Sequence, residues 1–175
     1  MVNQRVTVAC VSVVIACLSL NPTMLLAQTL AQTIVVTTTN QQGVPGDCTL
    51  TDAILAANSR SPVGGCATGN VIVLPAGTFL MSMPYLNGSN ALPRVTVAVE
   101  IRGAGADQTI IARDSAAPAF RFFEVPVALT LRGLTLKGGQ SDTGGAIFGQ
   151  AITVDHVVMD GNVASSNVAR CRATH

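Results

Sequence analysis

Between Leu131 and Ala164 the chain writes one short pattern twice, and that repetition constrains the fold more than any other feature. LRGLTLKGG (131–139) is followed 23 positions later by VDHVVMDGN (154–162). Leu131 aligns with Val154, Leu134 with Val157, Leu136 with Met159 and Gly138 with Gly161. A looser copy, EIRGAG (100–105), sets Ile101 thirty positions ahead of Leu131. Repeats of about 20 to 30 residues with short apolar alternation mark a solenoid, in which each unit buries its apolar face only against its neighbours. Strands this short, separated by Gly-rich turns, predict an all-β chain: coils of a parallel β-helix, with a short N-terminal capping helix.

The pattern starts only after a segment with its own logic. Arg5 precedes Val6 to Leu20, an uncharged apolar run closed by Asn21-Pro22, with small-residue exits at Ala27 and Ala31. That is the anatomy of a secretory signal peptide over 1–31, and the run falls short of the roughly 20 apolar residues a membrane span needs. Val14-Ile15-Ala16-Cys17 offers a second processing route, lipidation at Cys17. Ten Lys and Arg against nine Asp and Glu give a net charge of +1, and Arg5 leaves with the leader. The remainder is formally neutral, which argues against a nucleic-acid partner, since that requires a clustered basic face. Val, Ile, Leu, Ala, Thr and Gly dominate and Trp is absent, a mixture suited to strands and tight turns.

Two cysteines, Cys48 and Cys66, lie inside the expected domain, and Cys171 stands alone near the end. In an exported chain the internal pair favours a disulfide over a metal site, which would want further Cys or His nearby. Ile34 to Thr38 reads as a first strand. Thr49-x-x-Asp52 is a capping box for a helix of about ten residues, with Leu50, Ala53, Ile54 and Ala57 on one stripe. Val71 to Leu74 reads as a strand, Thr78 to Leu92 as irregular with a turn at Asn87-Gly88. Val95 to Ile101 is the strongest period-two signal, followed by short strands at Ile110-Ile111, Phe120 to Phe123, Val127 to Leu136, Gly144 to Phe148 and Ile152 to Met159. The expected organisation is a leader (1–31), an N-terminal cap (32–92), β-helix coils (93–164) and an atypical, disordered tail (165–175). Gly138, Gly144, Gly145 and Gly161 are the expected structural turns. Asn162 is a corner residue able to bond its own backbone and stack on Asn in adjacent coils.

Two family patterns become visible on these residues. DCTLTDAILAAN (47–58), GC (65–66) and VIVLPAGTF (71–79) together resemble the N-terminal CSLREA-type domain of bacterial exported proteins. Thr49, Thr51 and Asp52 stand where that family has Ser, Arg and Glu. GGAI (144–147) followed by MDGNVA (159–164) is similar to the repeat of chlamydial polymorphic outer-membrane proteins, with Met159 in place of Phe. The resemblance spans roughly residues 34–164 and implies a right-handed β-helix of pectate-lyase-like shape in a secreted or cell-surface protein. The partners it implies are a cell-surface glycan or a host protein, with membrane contact only through a lipid anchor or a further C-terminal segment, and no cofactor. Members continue for many coils, whereas SSNVARCRATH (165–175) has no strand pattern. A truncated or frameshifted reading frame is therefore the expectation.

Candidate chemistry is sparse. β-Helix hydrolases need two carboxyl groups at a defined separation, and calcium-dependent lyases need several acidic ligands and a base. Only Asp155-His156 with Asp160 comes close, and TVDH faintly echoes a pectate-lyase motif. Strand alternation sends Asp155 and His156 to opposite faces, and Arg132 aligns with Asp155, which predicts a stacked surface ion pair. Lys137, the only lysine, reads as a solvated turn residue. Gly144-Gly145 lacks the Lys-Ser/Thr of a phosphate loop, Asn87-Gly88-Ser89 matches a glycosylation sequon within a turn, and Tyr85 alone makes no sugar platform. No catalytic constellation emerges. The expectation is a non-catalytic exported module, adhesin-like or structural and the N-terminal part of a longer protein. The alternative is the N-terminal part of a carbohydrate-active β-helix enzyme whose catalytic coils lie elsewhere.

Overall fold

A computed structural model of the chain describes residues 32–166. The expected leader with Cys17, and Cys171 with the tail beyond Ser166, lie outside the described residues. The described residues are mostly β with one α-helix: β1 (Thr33–Val35), α1 (Leu50–Ser59), β2 (Val71–Val73), β3 (Gly77–Met81), β4 (Val99–Arg102), β5 (Thr109–Arg113), β6 (Phe123–Lys137), β7 (Gln140–Ser141), β8 (Ile147–Asp160) and β9 (Val163–Ala164). A 3₁₀ turn at Tyr85–Asn87 is the only other helical element among these residues.

All the strand pairs are parallel. One wall runs β1, β2, β4, β6 and β8; a second runs β3, β5 and the far end of β6. The sheet curls because β6 serves both walls, residues 129–132 pairing with β4 and 135–137 with β5. The bend between them falls at Gly133, whose φ of +57° is a left-handed conformation that Gly adopts at little cost.

Parallel pairing in this register stacks like on like. Ile34, Ile72, Ile101, Leu131 and Val154 form one column, and Phe79, Ile111, Leu136 and Met159 form another. The alignment drawn from the repeat is the observed register: Ile101 pairs with Leu131, Leu131 with Val154, Leu134 with Val157 and Leu136 with Met159. Each column is buried until its last member. Leu131 and Leu136 are fully buried, whereas Val154 and Met159 on β8 are 48% and 47% exposed.

At the opposite end, α1 covers the core. Thr49 is its N-cap, its hydroxyl accepting from Asp52 N–H at 3.0 Å. The reciprocal half of a capping box is replaced, because the Thr49 hydroxyl donates to the Asp52 carboxylate at 2.8 Å. Leu50, Ala53, Ile54 and Ala57 are buried in one cluster with Ile34 and Ile72. Cys48 and Cys66 form a disulfide that ties the helix start to the loop beyond its end, across a separation of 18 residues.

One expectation needs correction. The region from Thr78, read as irregular, contains most of β3; Phe79 and Met81 point inward, but the exposed Leu80 between them hides the alternation. Ser165 and Ser166, the first two residues of the expected tail, donate their N–H groups to the carbonyls of Ser141 and Asp142 at 3.0 and 2.9 Å.

Two stability measurements check this account. Leu131→Ala should cost roughly 2–5 kcal/mol in urea unfolding, because it opens a cavity inside a filled column. Val154→Ala, one step along that column, should cost less than about 1 kcal/mol; equal losses would refute the columnar burial. Replacing Cys48 and Cys66 together by Ala should lower stability by about 3 kcal/mol in oxidising buffer. In reductant the double variant and the parent chain should converge.

Candidate functional site

The residues singled out for chemistry lie on the outer face of β4, β6 and β8. Register sets Arg102 beside Arg132 and Arg132 beside Asp155. Two adjacent arginines repel unless an anion intervenes, and Glu100 supplies it. Arg102 donates to both Glu100 oxygens at 2.8 and 3.1 Å, and Arg132 Nε donates to Oε1 at 2.7 Å. The Arg102 hydrogen bond is the main reason the Glu100 carboxyl is held below its ordinary range; partial desolvation opposes the shift and Arg132 adds to it. Arg132 also pairs with Asp155. The face is thus a ladder of alternating sign: Arg102, Glu100, Arg132, Asp155.

His156 departs from the alternation expected of it. Its φ of +52° is left-handed, at the bend position that Gly133 fills on β6. The chain turns there, so the imidazole does not go to the opposite face; Nδ1 lies 2.5 Å from Asp155 Oδ1. The pair stands on open surface, with the His156 side chain 88% exposed. Asp160 does not join it. Lys137, expected to be a solvated turn residue, ends β6 directly beside Asp160 and bonds its carboxylate at 2.9 Å, which raises the lysine's pKa.

The concave surface is elsewhere. A shallow groove of about 370 Å³ is lined by residues including Gln41, Gln42, Thr78, Ser82 and Met83. Gln41 straps it shut at one side, donating to Met83 C=O at 2.6 Å and accepting from Ser82 N–H at 2.9 Å. Tyr85 lines a smaller hollow next to it. The first groove is lined by no acid, base or arginine. The ladder has charge without concavity, and the groove has concavity without charge. Nor do three or more His, Cys, Asp or Glu converge as a metal site among the described residues.

The expected turn residues hold the last layers together. Gly138, Gly144 and Gly161 have positive φ, and a Cβ on Gly145 would meet Val163 C=O at 2.4 Å. Asn162 bonds the layer before it, rather than its own backbone or another Asn: Oδ1 accepts from Gly139 N–H at 2.8 Å and Nδ2 donates to Leu136 C=O at 2.9 Å. Two arginines escaped notice. Arg113 donates to the carbonyls of Gly138, Asp114 and Ala117 at 2.8, 3.0 and 2.6 Å, tying the turn that follows it to the Gly138 turn. Arg121 is buried beneath the Phe148 ring, 5.1 Å from its centroid. A lone Arg among apolar residues carries no sequence signal for either role.

No protein family, curated protein or solved structure matches this chain.

The ladder predicts a pH effect of defined sign. Glu100 has a lowered folded-state pKa, so its contribution is present above the ordinary glutamate range and fades as pH falls through the lowered value. Glu100→Gln should cost about 1 kcal/mol or less in urea unfolding at pH 7. The deficit should shrink in 1 M salt and vanish near pH 2. An equal deficit at both pH values would eliminate the ionic account.

Proposed function

We propose that the chain is an exported or cell-surface module of the CSLREA type, built as a right-handed parallel β-helix, without catalytic activity of its own. It is the N-terminal part of a longer surface protein, adhesin-like or structural. The observation that carries this reading is the separation of charge from concavity: the titratable side chains of the outer face neutralise one another in ion pairs, and the groove offers no acid or base. A parallel sheet that curls round a core of stacked like residues is what a β-helix requires, and parallel crossovers are right-handed in nearly all cases. Export accords with the Cys48–Cys66 disulfide, which persists in oxidising compartments. Leader cleavage at Ala27 or Ala31, or lipidation at Cys17, would place it in the medium, on the surface or at the outer membrane. A surface glycan or a host protein is the partner of such a module.

A second reading draws on one contact. Asp155 orients His156 as a carboxylate orients a base, which suits the N-terminal part of a β-helix polysaccharide lyase or glycoside hydrolase whose remaining catalytic groups lie in other coils.

Translating the DNA beyond codon 175 in all three forward frames tests both. Further GGAI-type repeats leading to an anchor or autotransporter segment support the surface module. Repeats with Asp and Arg recurring at one coil position favour the enzyme, and an absence of repeats removes both versions of a longer parent. The purified chain should leave polygalacturonate intact; measurable cleavage would refute the non-catalytic reading.

A further inference from the structure

The outer edge of β3 is closed by a side chain rather than by a strand. Among the described residues β5 is the only strand paired with β3, which ends the sheet on that side. Gly77 N–H donates to Gln108 C=O at 2.7 Å and Met81 C=O accepts from Asp114 N–H at 2.8 Å, so the odd-numbered residues of β3 bond β5. Thr78, Leu80 and Ser82 turn their backbone groups the other way, because successive residues of a parallel strand bond to alternate sides. Segment 39–42 lies along that edge. Thr39 approaches Gly77, where a Cβ would meet its Cγ2 at 2.9 Å, and Gln41 reaches the other end. Its Oε1 accepts from Ser82 N–H at 2.9 Å and from Met83 N–H at 3.3 Å, and its Nε2 donates to Met83 C=O at 2.6 Å. The chain bends at Gln41 and Gln42, so no backbone hydrogen bond joins this segment to β3, and the groove of about 370 Å³ lies between them.

A primary amide carries the same C=O and N–H as a peptide group, and Gln41 uses both on the end of this edge. We propose that Gln41 is an edge guard: its side-chain amide occupies the hydrogen-bonding groups through which the β3 edge would pair with the β3 edge of a second copy of the chain. The edge needs one. Leu80, at its middle, is apolar and 50% exposed. The groove beside it is lined by no Lys, Arg, Asp or Glu, whereas charge on an edge strand is a common deterrent to strand pairing. The edge is also self-complementary. Antiparallel pairing about a two-fold axis through Leu80 sets Thr78 of each copy against Ser82 of the other, with no like charges opposed. Ser82 N–H is the donor such a pair would need, and it is the one that Gln41 Oε1 holds. The guard sits on the first strand of the second wall and does not depend on whether further coils follow β8.

Sedimentation velocity on the full chain, with amide hydrogen exchange, tests the guard. Gln41→Ala should self-associate at a concentration roughly tenfold below that of the unmodified chain, the worth of about one net hydrogen bond. Gln41→Met, which keeps the side chain's length and loses its amide, should do the same, so that lost bonding is separated from lost bulk. In dilute solution Ser82 and Met83 amides should exchange faster in both variants, while Phe79 and Met81, bonded to β5, stay unchanged. Where the variants associate, exchange across residues 78–82 should slow. Gln42→Ala, whose amide meets only the Met83 sulfur at 3.3 Å, should match the unmodified chain. Adding Leu80→Lys to Gln41→Ala should return association to the unmodified level, because two lysines would then meet at the axis. Unmodified association in both Gln41 variants, with Ser82 exchange accelerated, overturns the guard. Unchanged Ser82 exchange overturns the contact itself. Association that survives Leu80→Lys runs through another surface and overturns the choice of edge.

Discussion

Parallel backbone pairing in a fixed register is the constraint on which everything else in this molecule rests. Each strand lies beside another of the same direction about 4.8 Å away, so a residue's nearest neighbour across the ladder is its counterpart in the layer before. Apolar residues gain from that arrangement, since Ile34, Ile72, Ile101 and Leu131 exclude water from one another without any separate core being assembled. The same register fixes the geometry of the turns. The bend at Gly133 recurs at His156, which adopts φ +52° where most residues would resist it. A side chain can be placed against the chain's local preference when twelve register pairs on β6 and β8 already determine where the backbone goes.

What helps apolar columns hurts charged ones. Stacking Arg102 on Arg132 is unfavourable by itself, and the ladder is tolerable only because Glu100, two residues before Arg102, reaches both. Charges here are therefore explained by their neighbours in the stack before any role in chemistry is invoked. Asp155, Asp160 and Lys137 each have a stacking partner one layer away. Each such pair, exposed and screened, contributes little to stability, but together they penalise a slipped register, because a shift of one residue would set Arg132 against an apolar position.

The parts of the fold legible in the sequence are those the repeat or a local signal specifies. The alignment of Leu131, Leu134 and Leu136 with Val154, Val157 and Met159 is the observed pairing, since a parallel ladder turns a sequence repeat directly into a register. Thr49 with Leu50, Ala53, Ile54 and Ala57 announces α1 through capping and periodicity, both local effects. β3 was hidden because its outward residue, Leu80, is apolar, so burial alternates where hydrophobicity does not. The Val95 to Ile101 alternation yields a strand only over Val99–Arg102, although Val95 still points inward and donates to Glu124 C=O at 3.0 Å. The contact of His156 with Asp155 could not be read, because it follows from a left-handed residue that period-two reasoning assumes away. Arg113 and Arg121 act through carbonyls and a ring brought near by distant layers, which no window along the chain contains.

The two ends of the sheet are physically unlike. At one end α1 and the disulfide replace the missing layer: the helix covers the columns with Leu50 and Ile54, and Cys48–Cys66 holds its start against the loop beyond it. At the β8 end the columns stop half exposed and the backbone edge is open among the described residues, the condition that isolated proteins suppress with short strands, inward charges or bulges. β8 is long and has no inward charge, and its outward aspartates are held in ion pairs with Arg132 and Lys137. The helix end therefore keeps its columns buried, whereas at the β8 end Val154 and Met159 stand half exposed.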